Sequence, residues 1–215
     1  MHIKTLRKIF PYLSDNNKMY QLKMDKESLY SISIKEDADK ISSLILHHVK
    51  KLKLNPFNIK ITDATAGVGG NTISFARIFQ FVNSIELDKT RCTYLENNVQ
   101  VYGIKNIMIY NDDCLDKLKL LDHDIVFFDP PWGGKDYKIH TKMRLSLSDI
   151  QVEDICNDLL INKNYKQNPT IIVLKLPFNY DIQHIYNKIT QGNIYLYILK
   201  KMQVVIIINQ SFCLM

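Results

Sequence analysis

Between Asp124 and Tyr137 the chain reads Asp-Ile-Val-Phe-Phe-Asp-Pro-Pro-Trp-Gly-Gly-Lys-Asp-Tyr, and this stretch limits the possible folds most sharply. Ile125, Val126, Phe127 and Phe128 form an unbroken β-branched and aromatic run, the pattern of a strand buried on both faces. Pro130 and Pro131 then fix φ and donate no N–H, so the chain cannot continue as a central strand. Gly133 and Gly134 let the backbone turn freely. The product is a stiff hook at the carboxyl end of a strand, where open α/β sheets hold their ligands. An acid (Asp129), carbonyls that no neighbouring strand has claimed and the only tryptophan (Trp132) share it.

The rest of the chain supplies the sheet that such a hook needs. Strands are expected at 58–62, 81–86, 106–110, 124–128 and 170–176, with helices at 71–80, 88–101, 148–160 and 181–189 between them. Strands joined by helices run parallel, whereas 194–199 and 204–209 are separated by only four residues and read as a hairpin. The fold class is therefore α/β, a doubly wound and mostly parallel sheet with an antiparallel strand near the C-terminus. Before the first strand, residues 4–12 suit a short helix ended by Pro11, 15–18 a loop and 27–33 a turn or short extended piece. Apolar residues from Ala38 to Leu52 recur at helical spacing over 35–54, with Ser33 and Glu36 placed as a capping box. Residues 1–55 thus form a small helical extension and 56–215 the core domain.

Asp63-Ala-Thr-Ala-Gly-Val-Gly-Gly70 follows a strand and opens a helix, the context in which a glycine-rich loop binds a ligand. Gly67 and Gly69 allow close backbone approach. No Gly-Lys-[Ser/Thr] follows, which excludes a P-loop, and a dinucleotide fingerprint is incomplete. Glu86 ends the second strand, where a carboxylate can take two ribose hydroxyls, and Asp113 follows the third, where it can accept from an adenine amino group. Taken singly, each acid also fits a cap or turn former. Together they suit an adenosine with an amino-acid tail, S-adenosylmethionine, better than a polyphosphate that they would repel.

The hook in turn suits an exocyclic amine on a nucleobase, whose lone pair is delocalised into the ring. Asp129 and the Pro130 carbonyl can each accept one N–H of that amine, so catalysis would consist of positioning and electrostatics. Trp132 offers the base a flat face. The same residues also fit a plain Pro-Pro turn with Trp132 filling a core gap.

Charge and cysteines narrow the setting. Residues 1–60 carry 12 Lys+Arg against 6 Asp+Glu, while the remaining residues carry 16 of each, so the whole excess of +6 lies at the N-terminus. That points to a polyanion met by this segment, or to a solvated helix face at Lys50, Lys51 and Lys53. Cys92, Cys114, Cys156 and Cys213 are scattered, with no Cys-x-x-Cys pair, so neither a zinc site nor a disulfide framework is expected. A reducing cytoplasmic or nuclear compartment fits, and no apolar run is long enough to span a membrane.

Asp63-Ala-x-x-Gly-Val-Gly-Gly-Asn-Thr-Ile-x-Phe-Ala76, Asn97-Asn98-x-x-Val-Tyr-Gly-Ile104 and Pro130-Pro-Trp-Gly-Gly-x-Asp-Tyr137 resemble the trimethylguanosine synthase family of class I methyltransferases, which act on N2 of the RNA cap guanine. Leu22-Lys-x-Asp-x-Glu-x-x-Tyr-Ser31 and Leu176-Pro-x-Asn179 resemble it in part. The resemblance implies that Asp63, Ala64, Gly67 and Gly69 hold the methionine part of S-adenosylmethionine, with Glu86 at the ribose and Asp113 at the adenine. Ser33 reaches the cofactor carboxylate, and Asp129 is counted with the cofactor-binding residues. Trp132 stacks on 7-methylguanine, whose positive charge an indole face attracts. Asn98 and Tyr30 shape the base pocket. Capped RNA is the implied partner of a monomer that needs no metal. Two departures stand out. Asp129 replaces a Ser and is the residue of adenine-N6 and cytosine-N4 methyltransferases, an alternative reading beside that of a non-catalytic cap-binding protein. Phe178 replaces an Arg assigned to cap phosphates, a role that Lys175 is placed to assume.

Overall fold

Helices fill the chain before its first strand, because apolar residues there recur every three or four positions. A computed structural model describes residues 2–212, which cluster into two units, one ending at Cys114 and the other beginning at Leu115.

In the first unit, α1 (Ile3–Ile9), α2 (Asn16–Tyr20), α3 (Ser28–Ser31) and α4 (Lys35–Lys51) precede β1 (Lys60–Asp63). α5 (Gly70–Ala76), β2 (Phe81–Ile85), α6 (Lys89–Tyr102) and β3 (Ile107–Tyr110) follow. β1 and β2 are parallel, with Asp63 opposite Ser84, and β2 and β3 are parallel, with Ile85 opposite Tyr110. Asp88 caps α6 by accepting the Arg91 N–H at 2.8 Å. Leu6, Ile9, Phe10, Met19 and Leu22 share one buried cluster with Val68 and Ile73 of the glycine loop and α5.

Three local expectations change here. Residues 15–18 are not a loop, because Asp15 accepts the Asn17 N–H at 2.8 Å and nucleates α2. Residues 28–31 make one helical turn. Ser33 does not cap α4: the N-cap is Ile34, and Glu36 bonds Lys40 at 2.7 Å instead of closing a capping box.

After α7 (Cys114–Lys117), the second unit contains β4 (Ile125–Phe128), whose four residues are all buried. The hairpin β5 (Ser146–Leu147) and β6 (Ile150–Gln151) comes next, then α8 (Val152–Ile161), β7 (Ile171–Pro177), α9 (Ile182–Lys188), β8 (Gly192–Ile198) and β9 (Met202–Asn209). The helix expected from Ser148 starts only at Val152. Ser148 and Asp149 have φ of 46° and 65°, as a tight hairpin turn requires and a helix forbids. β4 and β7 are parallel, and β9 runs antiparallel to both β7 and β8. The fold is thus α/β, with mostly parallel strands in each unit and β9 as the antiparallel strand near the C-terminus. Cys92, Cys114 and Cys156 are buried, and Cys213 lies outside the described residues.

Candidate active site

In the first unit the glycine loop is held from three sides. Asp63, fully buried at the end of β1, accepts from the Thr72 hydroxyl at 2.7 Å, and Thr72 lies 3.1 Å from the Ser84 hydroxyl. One side chain of α5 therefore links the ends of β1 and β2. Ala64 is buried beside Asp63. Gly69 adopts φ of 103°, and a Cβ there would lie 2.9 Å from Leu95 Cδ1. At Gly70 a Cβ would meet the Ser33 carbonyl at 2.8 Å, so glycine is needed for segment 32–33 to approach α5. Asn71 completes that approach by donating to the Ser33 hydroxyl at 3.0 Å. Each residue of Gly69-Gly70-Asn71-Thr72 thus has its own local reason.

The Gly67 N–H donates to Glu86 Oε2 at 2.8 Å, and the Asp88 N–H to Glu86 Oε1 at 2.9 Å. Burial raises the Glu86 carboxyl above its ordinary range, against the pull of these two donors. Each Glu86 oxygen keeps a lone pair for a further donor, since a carboxylate accepts about four hydrogen bonds. Asp113 is half-buried, and its N–H donates to the Asp112 carboxylate at 2.9 Å, which makes Asp112 a turn former.

Asn98 and Tyr30, both expected near the base, sit differently within this unit. Asn98 is fully buried and accepts the Lys23 N–H at 2.8 Å. Its Nδ2 donates to the carbonyls of Lys23 and Val68, each at 2.9 Å. Its side chain therefore ties the N-terminal segment to the glycine loop. Tyr30 lies on α3 and is 72% exposed. Arg91 was not singled out from sequence, yet it pairs with Asp25 at 3.2 Å and with Glu27, fastening the same segment to α6. Only the opposite charges hinted at this, because more than sixty residues separate the partners.

In the second unit the hook leaves β4 as the Pro-Pro pair requires. Parallel pairing sets Phe128 opposite Leu174, so the next residues, Asp129 and Lys175, fall side by side. Lys175 is 3% exposed, and its Nζ lies 2.5 Å from Asp129 Oδ2. Burial raises the Asp129 carboxyl above its ordinary range, against the pull of the adjacent Lys175 ammonium. Lys175 is therefore not a surface phosphate reader, since its charge is turned onto Asp129 inside the protein. Pro130 is buried and Trp132 half-buried. The Trp132 ring meets Tyr137 edge-on at 5.3 Å, with Lys175 Nζ 5.2 Å from its centroid. Behind the hook, Asn179 donates to the Tyr137 and His140 carbonyls at 2.8 and 2.5 Å, binding that loop to the end of β7. Phe178 is 60% exposed, and Gln203 holds its carbonyl at 2.6 Å. Among the described residues, no group of three or more His, Cys, Asp or Glu is arranged to hold a metal ion, and no helix is long and apolar enough to cross a membrane.

Comparison with known proteins places these features. The family described as RNA cap guanine-N2 methyltransferase matches residues 58–211. The uncharacterized protein L320 of Acanthamoeba polyphaga mimivirus is 34% identical, covering 94% of this chain and 84% of its own. Trimethylguanosine synthase of Schizosaccharomyces pombe is 29% identical over 75% of this chain, which spans 65% of the yeast enzyme, just under two thirds. A solved putative methyltransferase from Escherichia coli, yhhF, shares the fold with a TM-score of 0.55 at 14% identity, over 80% of this chain and 86% of its own.

Proposed function

Because the chain belongs to the RNA cap guanine-N2 methyltransferase family, we propose that it methylates the exocyclic N2 of a 7-methylguanosine RNA cap, with S-adenosylmethionine as donor. The product is di- or trimethylguanosine. The observation that carries this reading is the hook after β4, where the acceptor Asp129 and Trp132, both half-buried, share one lysine.

The first unit suits the cofactor. A Cβ at Gly67 would meet nothing within 4 Å, which leaves room at the loop backbone, and Glu86 retains lone pairs for ribose hydroxyls. Asp63 and the loop would take the amino-acid end, and Asp113 the adenine amine. Ser33 would reach the carboxylate by way of a hydroxyl already aligned by Asn71. When bound, the cofactor would supply an electrophilic sulfonium methyl to the amine, whose surplus proton would pass to solvent.

Asp129 and the Pro130 carbonyl each accept an N–H of the amine, which fixes N2 and localises its lone pair. Both acceptors sit on a segment with two fixed φ angles, so little ordering remains when substrate binds. Trp132, braced by Tyr137, stacks on the base, and a cationic 7-methylguanine gains about 1–2 kcal/mol on a desolvated indole face. A second reading, methylation of an adenine N6 or cytosine N4, is favoured by Asp129 alone. A cap-binding protein without activity would have no use for the lone pairs that Glu86 keeps beyond its two backbone donors. Scattered, buried cysteines suit a reducing cytoplasmic or nuclear setting.

The test is a mass spectrum after incubation with S-adenosylmethionine and either m7GpppA or unmethylated GpppA. Methyl gain on m7GpppA alone is expected, and the mass counts the methyls. No gain on either substrate, with cofactor binding intact, would overturn the cap reading and favour a nucleobase amine elsewhere.

A further inference from the structure

The Lys175–Asp129 pair has no surface role to explain it. Its ammonium is 3% exposed, lies 2.5 Å from the carboxylate and reaches the Trp132 ring at 5.2 Å. Lys175 is at the same time part of β7, flanked by β4 on one side and by Val204 of β9 on the other. A buried lysine in a central strand is rare unless its charge is used, because removing an ammonium from water costs several kcal/mol.

We propose that Lys175 is a positioning residue that holds Asp129 as a carboxylate, so that Asp129 accepts an N–H of the substrate amine rather than donating to it. The inference rests on the proposed methylation of an amine. An apolar site by itself favours a neutral carboxylic acid, which carries a proton of its own and would set a donor against the N–H. A protonated Asp129 would therefore turn the amine away or misalign its lone pair. The ammonium prevents this from inside the sheet, where no substrate group has to supply the countercharge. It also neutralises the pair as a whole, so that a cationic base on Trp132 meets no net charge from it. A Ser at position 129 would need no such partner, because a hydroxyl accepts without ionising.

The first measurement does not depend on turnover: isotope-edited infrared or carboxyl NMR of Asp129 in the wild-type protein, assigned with Asp129→Asn. The expected result is a carboxylate at about pH 7, well above the ordinary Asp range. A protonated Asp129 there would overturn the proposal, whether or not the protein methylates caps. In Lys175→Met the same signal is expected to be the protonated acid near neutrality. Its methylation rate should fall on the order of 100-fold and recover as pH rises, whereas the wild-type rate stays flat. Lys175→Arg should restore the carboxylate signal. An Asp129 that ionises in Lys175→Met over the wild-type range would overturn the inference while leaving the methyltransferase reading standing. If Lys175→Met does not fold, the wild-type titration and Lys175→Arg still decide the matter.

Discussion

Replacing Asn98 with Ala removes its three hydrogen bonds to backbone groups in one step, besides the longer one it accepts from Asn97 Nδ2 at 3.2 Å. Two of them, at 2.8 and 2.9 Å, hold the backbone of Lys23, and the third, at 2.9 Å, satisfies the carbonyl of Val68. Lys23 lies on an exposed segment, so water can take over its groups and each bond costs about 1 kcal/mol to lose. Val68 is 2% exposed, and its carbonyl would be left without a donor at a cost of roughly 1–3 kcal/mol. The sum, about 3–5 kcal/mol, is a large part of the stability of an ordinary domain. Asn98→Asp is expected to cost at least as much, because it keeps the acceptor for Lys23 but turns a negative oxygen towards two carbonyls. Urea unfolding followed by circular dichroism measures the loss. Trypsin should also cut faster at Lys23 and Lys26 in the variant, as the segment detaches from α6. A cost below about 1 kcal/mol in Asn98→Ala, together with a raised KM for the cap, would refute the tethering argument. It would place Asn98 in the base pocket instead.

Three other outcomes are expected. Trp132→Ala should raise KM for m7GpppA by about 5- to 30-fold, the equivalent of about 1–2 kcal/mol, and an unchanged KM in steady-state assays would remove the stacking role. Gly69→Ala should destabilise by roughly 1–3 kcal/mol in the same unfolding assay, since it combines a left-handed φ with a clash. The contacts responsible are φ of 103° and Leu95 Cδ1 at 2.9 Å. For pH, burial pushes the His123 imidazole from 6.5 down to about 4. The unfolded chain therefore takes up that proton first as pH falls, and the stability that His123 contributes is full above 6.5 and lost between 6.5 and 4. By about pH 5 the loss is about 2 kcal/mol, which His123→Gln should abolish in paired unfolding curves at about pH 7 and 5. Equal slopes for both proteins would contradict this.

The sequence determined what depends on neighbours along the chain. Ile125–Phe128 had to be a buried strand, and Pro130 and Pro131 had to end it, because β-branched packing and a fixed φ act over a few residues. Asp88 capped α6, and the glycines at 67 and 69 marked the loop by their positive φ. The alternation of these elements was enough for the α/β class. Short elements misled: Asp15 starts a helix, and Ser148-Asp149 turns a hairpin where acidic and apolar residues suggested a helix. Only the tertiary structure decided the partnerships. Register between β4 and β7 sets Lys175 against Asp129, which are 46 residues apart, and turned an expected phosphate ligand into a buried counterion. In the same way Asn98 went to Lys23 and Val68, and Ser33 to Asn71 rather than to the helix it precedes. Local pattern carries no record of which distant groups meet. That depends on strand register and on every buried polar group finding a partner, and both are settled only when the chain closes on itself.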